Sequence, residues 1–301
     1  MKLNIIGNKK WFLALSGLFV ALAIVSISVF GFNLGIDFKS GSMWQVKVPG
    51  ADERIIRDFA VNELEIDPIV SYDGNSGSYS LIFKEISEEE HVKMKEALIS
   101  RFSEASELDF GTTSPSISSE LRDKAVWVII LVLLVIAFYV AFAFRKVSWP
   151  VKSFKYGIAA LIALAHDVVI AAGFFVLIGH LNGIAIDTYF IVALLTVAGF
   201  SVQDTIVVFD RIRENLLGHK GKIDLSEIIN RSINEIIVRS VNTSVSTMLA
   251  LGAVAYLGPV SVKYFALTMI VGIFFGTYSS LFIAGPLLTI WHKIGSREIA
   301  K

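Results

Sequence analysis

Asp204 stands inside an apolar run, Tyr189 to Phe209, with Ser201, Gln203 and Thr205 beside it. An Asp near the centre of a membrane helix costs roughly 2.5–3.5 kcal/mol on insertion scales. Such a carboxylate therefore points to a partner, a water path or a task. Arg239 stands in the next segment. If the first run leaves the bilayer near Arg211, Asp204 lies roughly 10 Å inside at 1.5 Å per residue, and if the next helix enters near Glu235, Arg239 lies roughly 6 Å inside. Two antiparallel neighbours then hold an acid and a base at similar depth, which suits an ion pair that forms or exchanges. Ser201 and Thr205 on one helix, and Asn242, Thr243, Ser246 and Thr247 on the other, read as a polar seam able to hold water and carry protons. A static pair that only fixes helix register would use the same two charges. Ser and Thr are also ordinary helix–helix glue, worth about 0.6 kcal/mol per bond.

Two further groups have chemical potential. His166 and Asp167 are adjacent in the third apolar run, with Asp167 on a small-residue stripe of Ala159, Ala163 and Ala171. They read either as a second polar, proton-bearing station or as a hydrogen-bonded knot, and the packing stripe favours the knot. No other ligand has the spacing to make His166 a metal site. Gly35, Asp37 and Gly41 lie in GIDFKSGS at the end of the first apolar run; the glycines suit a sharp turn and Asp37 can bond local backbone. That corner is either structural or a hinge between membrane helix and domain. Gly272, Gly276, Ser280 and Ala284 form a small-residue stripe that reads as close packing.

The elements that must position these residues follow from composition and pattern. The chain has 301 residues, 54% hydrophobic and 18% charged, with mean hydropathy +0.65. Soluble domains carry about 25% charged residues, so these values indicate a polytopic membrane protein. A net charge of zero gives no reason to expect nucleic acid as a partner, and the absence of cysteine excludes disulfides and thiolate chemistry. Apolar runs cover 11–31, 125–144, 156–179, 189–209, 236–257 and 264–290, each near the ~20 residues a membrane helix needs. The first follows Lys2, Lys9 and Lys10 and has no obvious cleavage site, so it is expected to stay as a helix. Lys and Arg concentrate at both termini and in the loops at 145–155 and 211–239, which places both ends in the cytoplasm. Residues 33–123 are then an extracytoplasmic domain, and 124–301 a five-helix membrane domain with an amphipathic cytoplasmic loop at 211–235. Strand and helix patterns in 33–123 run β-α-β-β-α-β, the order of a ferredoxin-like α+β fold. Ser87 and Glu90 spell a capping box at its second helix.

Three stretches resemble one family. GIDFKSGS at 35–42 is similar to G-I-D-F-x-G-G-[ST], with Ser40 replacing the first Gly of the pair. GFSVQDTIVVFDRIREN at 199–215 is similar to G-Y-S-V-N-D-T-I-V-V-F-D-R-I-R-E-N, departing at Phe200 and Gln203. RSINEIIVRSVNTS at 231–244 is similar to S-[IV]-N-x-x-x-x-R-T-[IV]-N-T-S, with Ser240 for Thr. These motifs resemble the SecF side of the SecD/SecF protein-export family. The resemblance implies six helices of the resistance-nodulation-division type in a bacterial inner membrane, with SecD supplying six more. It also implies association with the SecYEG channel and the translocating preprotein, use of the proton-motive force, and no cofactor. Asp204 and Arg239 match the family positions implicated in proton movement. A structural subunit that stabilises the translocase, or half of a proton-driven exporter of the same fold, are the rival readings. An enzyme in the outer domain has the least support, since its one histidine, His91, has no nucleophile beside it in sequence.

Overall fold

The computed structural model describes residues 3–74, 76–145, 152–219 and 224–299. Lys2, Lys146 and residues 220–223 of the expected basic segments, and the side chains of Lys293 and Arg297, lie outside that description. In chain order the elements are α1 (Lys9–Phe30), α2 (Ile36–Lys39), β1 (Gly41–Lys47), α3 (Glu53–Asn62), β2 (Ile69–Asp73), β3 (Ser78–Phe83), α4 (Glu88–Arg101) and β4 (Ser106–Thr113). They continue with α5 (Pro115–Ala143), α6 (Ser153–Asn182), α7 (Thr188–His219), α8 (Leu225–Leu257) and α9 (Val260–Ser279). A π-helical turn at Ser280–Ala284 then leads into α10 (Gly285–Ile299).

The chain forms two compact units. One comprises Met1–Val29, Val128–Phe175 and Phe190–Lys301; the other comprises Phe30–Trp127 and Val176–Tyr189. Among the described residues, 6 helical stretches are long and apolar enough to cross a membrane, the last spanning α9, the π turn and most of α10.

The second unit holds a four-stranded antiparallel sheet in the order β2-β3-β1-β4. β3 lies between β2 and β1 and is antiparallel to both, which is the split β-α-β arrangement expected from the element order. Alternation in β1 sends Trp44 and Val46 inward, where they meet Ile56 and Phe59 of α3 and Met94 and Leu98 of α4. Asp52 caps α3 through the Ile55 N–H at 2.8 Å, and Ser87 and Glu90 form the reciprocal capping box on α4. β4 ends at Thr113, because Pro115 starts α5 as a first-turn proline with no N–H to satisfy.

The first unit is built around Tyr156, Phe209, Ile212, Ile229 and Ile233, all fully buried. This core also takes up much of the amphipathic segment 211–235. α7 runs on to His219 and α8 starts at Leu225, because Leu216, Leu225, Ile228 and Ile229 bury their apolar faces in the same cluster. Asn215 reinforces the pair by donating to Ser232 Oγ at 2.9 Å and to Glu235 at 2.8 Å. Ile5 and Ile6 pack into this core as well, and Asn230 Oδ1 accepts from the Ile5 N–H at 2.8 Å.

The π turn has a local cause. Pro286 cannot donate to the helical ladder, and its ring crowds the carbonyl four residues earlier. Widening the preceding turn relieves the conflict. Ser279 and Ser280 sit at the mouth of that turn and are fully buried.

Candidate functional site

The polar groups of the membrane helices meet where α6, α7 and α9 converge. Asp167, on α6, has no exposed surface. Its Oδ2 accepts from Ser201 Oγ of α7 and from Ser279 Oγ of α9, the latter at 2.7 Å. Its Oδ1 faces His166 Nδ1 at 2.8 Å. A neutral imidazole that donates from Nδ1 leaves a bare lone pair at Nε2, and that atom is buried with no hydrogen-bond partner among the described residues. The His166 ring lies beside the rings of Phe275 and Tyr278. Through these bonds Asp167 joins α6, α7 and α9.

Close approach makes these bonds possible. A Cβ on Gly276 would sit 3.3 Å from both Ser201 Cα and Cβ, and one on Gly272 only 2.2 Å from a Val197 methyl. The small-residue stripe of the sixth span therefore packs directly against α7. Ser280, the third member of that stripe, also bonds: it lies 2.9 Å from Thr205 Oγ1 and donates to the Gly276 carbonyl at 2.8 Å.

Asp204 is half-buried on the adjoining side of α7. Thr277 Oγ1 donates to its Oδ2 at 3.1 Å, and Thr277 in turn pairs with Ser244 Oγ of α8. A cavity of about 20 Å³ beside the carboxylate is lined by Thr243, Ser244, Thr247, Gly276 and Thr277. That volume has room for about one water.

The expected Asp204–Arg239 pair is not formed. Arg239 is exposed, makes no ion pair among the described residues, and lines a different cavity with Val207, Asp210, Arg211 and Glu235. Register explains the difference. Arg211 bonds Glu235 at 2.7 Å, which fixes how the antiparallel α7 and α8 align. Counting back seven residues from Arg211 and forward seven from Glu235 sets Asp204 opposite Asn242 and Thr243. Arg239 falls opposite Val207, about 4.5 Å along the axis from the level of Asp204. Glu235 is meanwhile engaged by Arg211, Arg231 and Asn215.

The expected seam between the fourth and fifth spans is also redistributed. Ser201 and Thr205 are buried but turn toward α6 and the sixth span. Thr243 and Thr247 line the Asp204 cavity. Asn242 and Ser246 are exposed on the outward face of α8, and Ser246 returns its hydroxyl to the Asn242 carbonyl at 2.8 Å. Sequence reasoning missed Thr277 and Ser279 as members of the site. The run Thr277–Tyr278–Ser279–Ser280, within an apolar span and just before Gly285–Pro286, was the available signal.

Gly35, Asp37 and Gly41 belong to the other unit. Asp37 Oδ2 accepts from the Thr188 N–H at 2.7 Å and from Thr188 Oγ1 at 2.6 Å. Gly35 donates to the Ile186 carbonyl at 2.8 Å, where a Cβ would collide with that same oxygen. Gly41 has φ +127°, and a Cβ there would stand 2.5 Å from the Phe83 carbonyl oxygen.

Comparison with known proteins places this geometry in a lineage. Residues 93–294 match the family model described as protein export membrane protein SecD/SecF, C-terminal, and residues 25–48 match that of the SecD/SecF GG motif. The chain is 38% identical to the protein translocase subunit SecF of Thermobaculum terrenum, over 97% of this chain and 94% of that one. It is 34% identical to the SecF subunit of Anaerolinea thermophila, with the same two coverages of 97% and 94%. The crystal structure of SecDF, a translocon-associated membrane protein from Thermus thermophilus, superposes with a TM-score of 0.83 at 32% identity. That match covers 97% of this chain but only 39% of the SecDF chain.

Proposed function

The chain belongs to the SecD/SecF protein-export family as a SecF-like subunit, and we propose that it works with a SecD-type partner at the SecYEG channel, using the proton gradient to promote late steps of translocation. The observation that carries this reading is the outward face of α8. Glu235, Arg239, Asn242 and Ser246 are all exposed along it. Charged and amide groups in a membrane span face protein or a water-filled cavity rather than lipid. A second six-helix half would cover that face, and the longer SecDF relatives carry both halves in one chain.

In this reading Asp204 is the proton acceptor. It faces a water-sized cavity and has one hydroxyl partner, with no cation paired to it among the described residues. Protonation removes its demand for the single Thr277 hydroxyl proton, which is then free for Ser244 Oγ or the Ile273 carbonyl, both already within reach. Arg239 supplies the counter-charge of the alternate arrangement, reached by a shift of about 4.5 Å between α7 and α8 or by extension of its side chain. Asp167 holds α6, α7 and α9 together while this happens. One charge crossing the field gains about 2.3 kcal/mol per 100 mV, enough to bias two packed states and too little to unfold a domain. Both termini lie in the cytoplasm and the sheet domain lies outside, where it meets the emerging preprotein.

Export from membrane vesicles with an imposed proton gradient tests the reading. Asp204→Asn, produced to normal levels with its partner, should lower export to the rate seen without a gradient. Full gradient stimulation in that variant would overturn the assignment.

A further inference from the structure

We propose that the Gly35–Lys39 corner is a clamp rather than a hinge: Asp37 caps the head of α7, so that the corner and the start of the helix carrying Asp204 move as one body. The proposal rests on the proton-driven reading for its purpose, but its geometry stands apart from that reading.

The first residues of a helix have N–H groups with no partner in their own ladder. Thr188 is the first residue of α7. Its N–H and its hydroxyl both donate to one oxygen of Asp37, at 2.7 and 2.6 Å. The carboxylate thus satisfies an orphan donor and sets a negative charge at the positive end of a helix of 32 residues. The cap is delivered from far away in sequence, across a separation of 151 residues. A local turn residue would need no such reach.

Backbone bonds brace the contact. Gly35 N–H donates to the Ile186 carbonyl at 2.8 Å, and Ile186 N–H donates to the Asn33 carbonyl at 2.7 Å, so that Leu34 and Ile186 form a parallel bridge. Only glycine fits at 35, since a Cβ would lie 2.8 Å from the Ile186 oxygen. Two more sides of the corner are held. Ser118 of α5 donates to the Ile36 carbonyl at 3.1 Å. Gly41 leads straight into β1 with its α-carbon pressed against the Phe83 carbonyl of β3. A hinge needs a few residues free to change φ and ψ. Residues 33–41 are instead fixed to the 186–188 loop, to α5 and to the sheet. A displacement of the first turn of α7 would therefore reach the corner through Thr188 and pass to β1 without a soft joint.

The chain contains no cysteine, which allows a direct test. The full chain carrying Leu34→Cys and Ile186→Cys is produced with its SecD-type partner in membrane vesicles. Residues paired across a bridge lie within disulfide reach. A clamp predicts that the cross-link forms at the same rate with and without the gradient, and that the oxidised protein exports as fast as the reduced one. Slower cross-linking under a gradient, or export blocked by oxidation and restored by a thiol reductant, would overturn it. Asp37→Ala should weaken the coupling and lower the gradient-driven part of export about tenfold, the scale of a lost helix cap. Asp37→Asn keeps an acceptor for both Thr188 donors and should retain most of it. Wild-type export by Asp37→Ala would contradict the proposal; where that variant does not accumulate, the cross-link decides. Asp204→Asn assayed in parallel separates the two claims: retained gradient stimulation there removes the proton reading, while the cross-linking rates still decide the clamp.

Discussion

Replacing Gly272 by alanine should force apart the two helices that carry the acidic site. The added Cβ would lie 2.2 and 2.6 Å from the two Val197 methyls and 3.0 Å from Val197 Cβ. Carbon atoms rest at about 3.5–4.0 Å, so the interface must open by roughly 1–1.5 Å. Val197 has no exposed surface and cannot swing aside into lipid. Overpacking of this kind costs about 1–3 kcal/mol, here toward the upper figure, and the helix propensity gained on leaving glycine returns about 1 kcal/mol. The expected net loss is about 2 kcal/mol, or about 4–8 °C in Tm for a membrane domain of this size. Val197→Ala removes both clashing methyls and should cost about 1.5 kcal/mol alone, at about 0.8 kcal/mol per buried carbon. The double variant should then be more stable than Gly272→Ala alone, giving a coupling of about 1.5 kcal/mol or more with a rescuing sign. Gly276→Ala, whose Cβ contacts start at 3.3 Å, should be the milder lesion. Thermal unfolding of the detergent-purified protein measures the wild type and all four variants. A double variant as unstable as the sum of the singles, within about 0.5 kcal/mol, would refute the α7–α9 contact on which the site depends.

Ser40→Gly should stabilise the sheet domain. Ser40 is held at φ +65°, ψ 163°, a region that costs a side-chain-bearing residue about 1–3 kcal/mol, and after the greater unfolded-state freedom of glycine about 1 kcal/mol should remain as a higher urea midpoint. Glu107 should make the same domain acid-labile. Burial pushes its carboxyl up, but donation from Lys95 at 2.9 Å, Trp44 at 2.7 Å and His91 at 2.8 Å outweighs it and holds the carboxyl below its ordinary value. The folded value being the lower one, its stabilisation is complete above the unfolded value near 4.3 and fades as pH falls through the folded one. Urea unfolding followed at Trp44, with the other tryptophans replaced, should therefore lose stability below about pH 4, and Glu107→Gln should flatten that slope; an unchanged slope would show that Glu107 does not carry it.

The parts of the fold legible in the sequence are those whose signals are local. Trp44 and Val46 alternate because a strand alternates, and Ser87 with Glu90 spells a cap because both bonds close within three residues. The apolar runs announce spans by length alone. Boundaries failed where tertiary burial overrode charge. Arg211, Arg213 and Glu214 suggested an exit from helix, yet Ile212 among them and Leu216 just beyond are buried and carry α7 onward. Asp37 was visible as a turn-former, but its partner Thr188 lies across the chain, and no local pattern records a cap supplied from another segment.

The acidic site shows why depth counted from helix ends was an inadequate guide. Asp204 and Arg239 matched when each helix was started at its nearest charged residue. That rule assumes charged residues mark the bilayer edge. Arg211 and Glu235 neutralise each other across the helix pair, so they mark a register instead. Once that pair is used as the ruler, Asp204 meets Thr243 rather than Arg239, as the lining of its cavity shows. Its hydroxyl partner, Thr277, then comes from the sixth span, brought close by Gly272 and Gly276. A carboxylate bonded to a hydroxyl can be charged or neutral with a modest rearrangement, because the hydroxyl both donates and accepts. A fixed arginine would favour the charged form alone. If Asp204 is the proton acceptor proposed above, the offset between Asp204 and Arg239 is what would leave it free to change protonation, and a resting ion pair would work against that role.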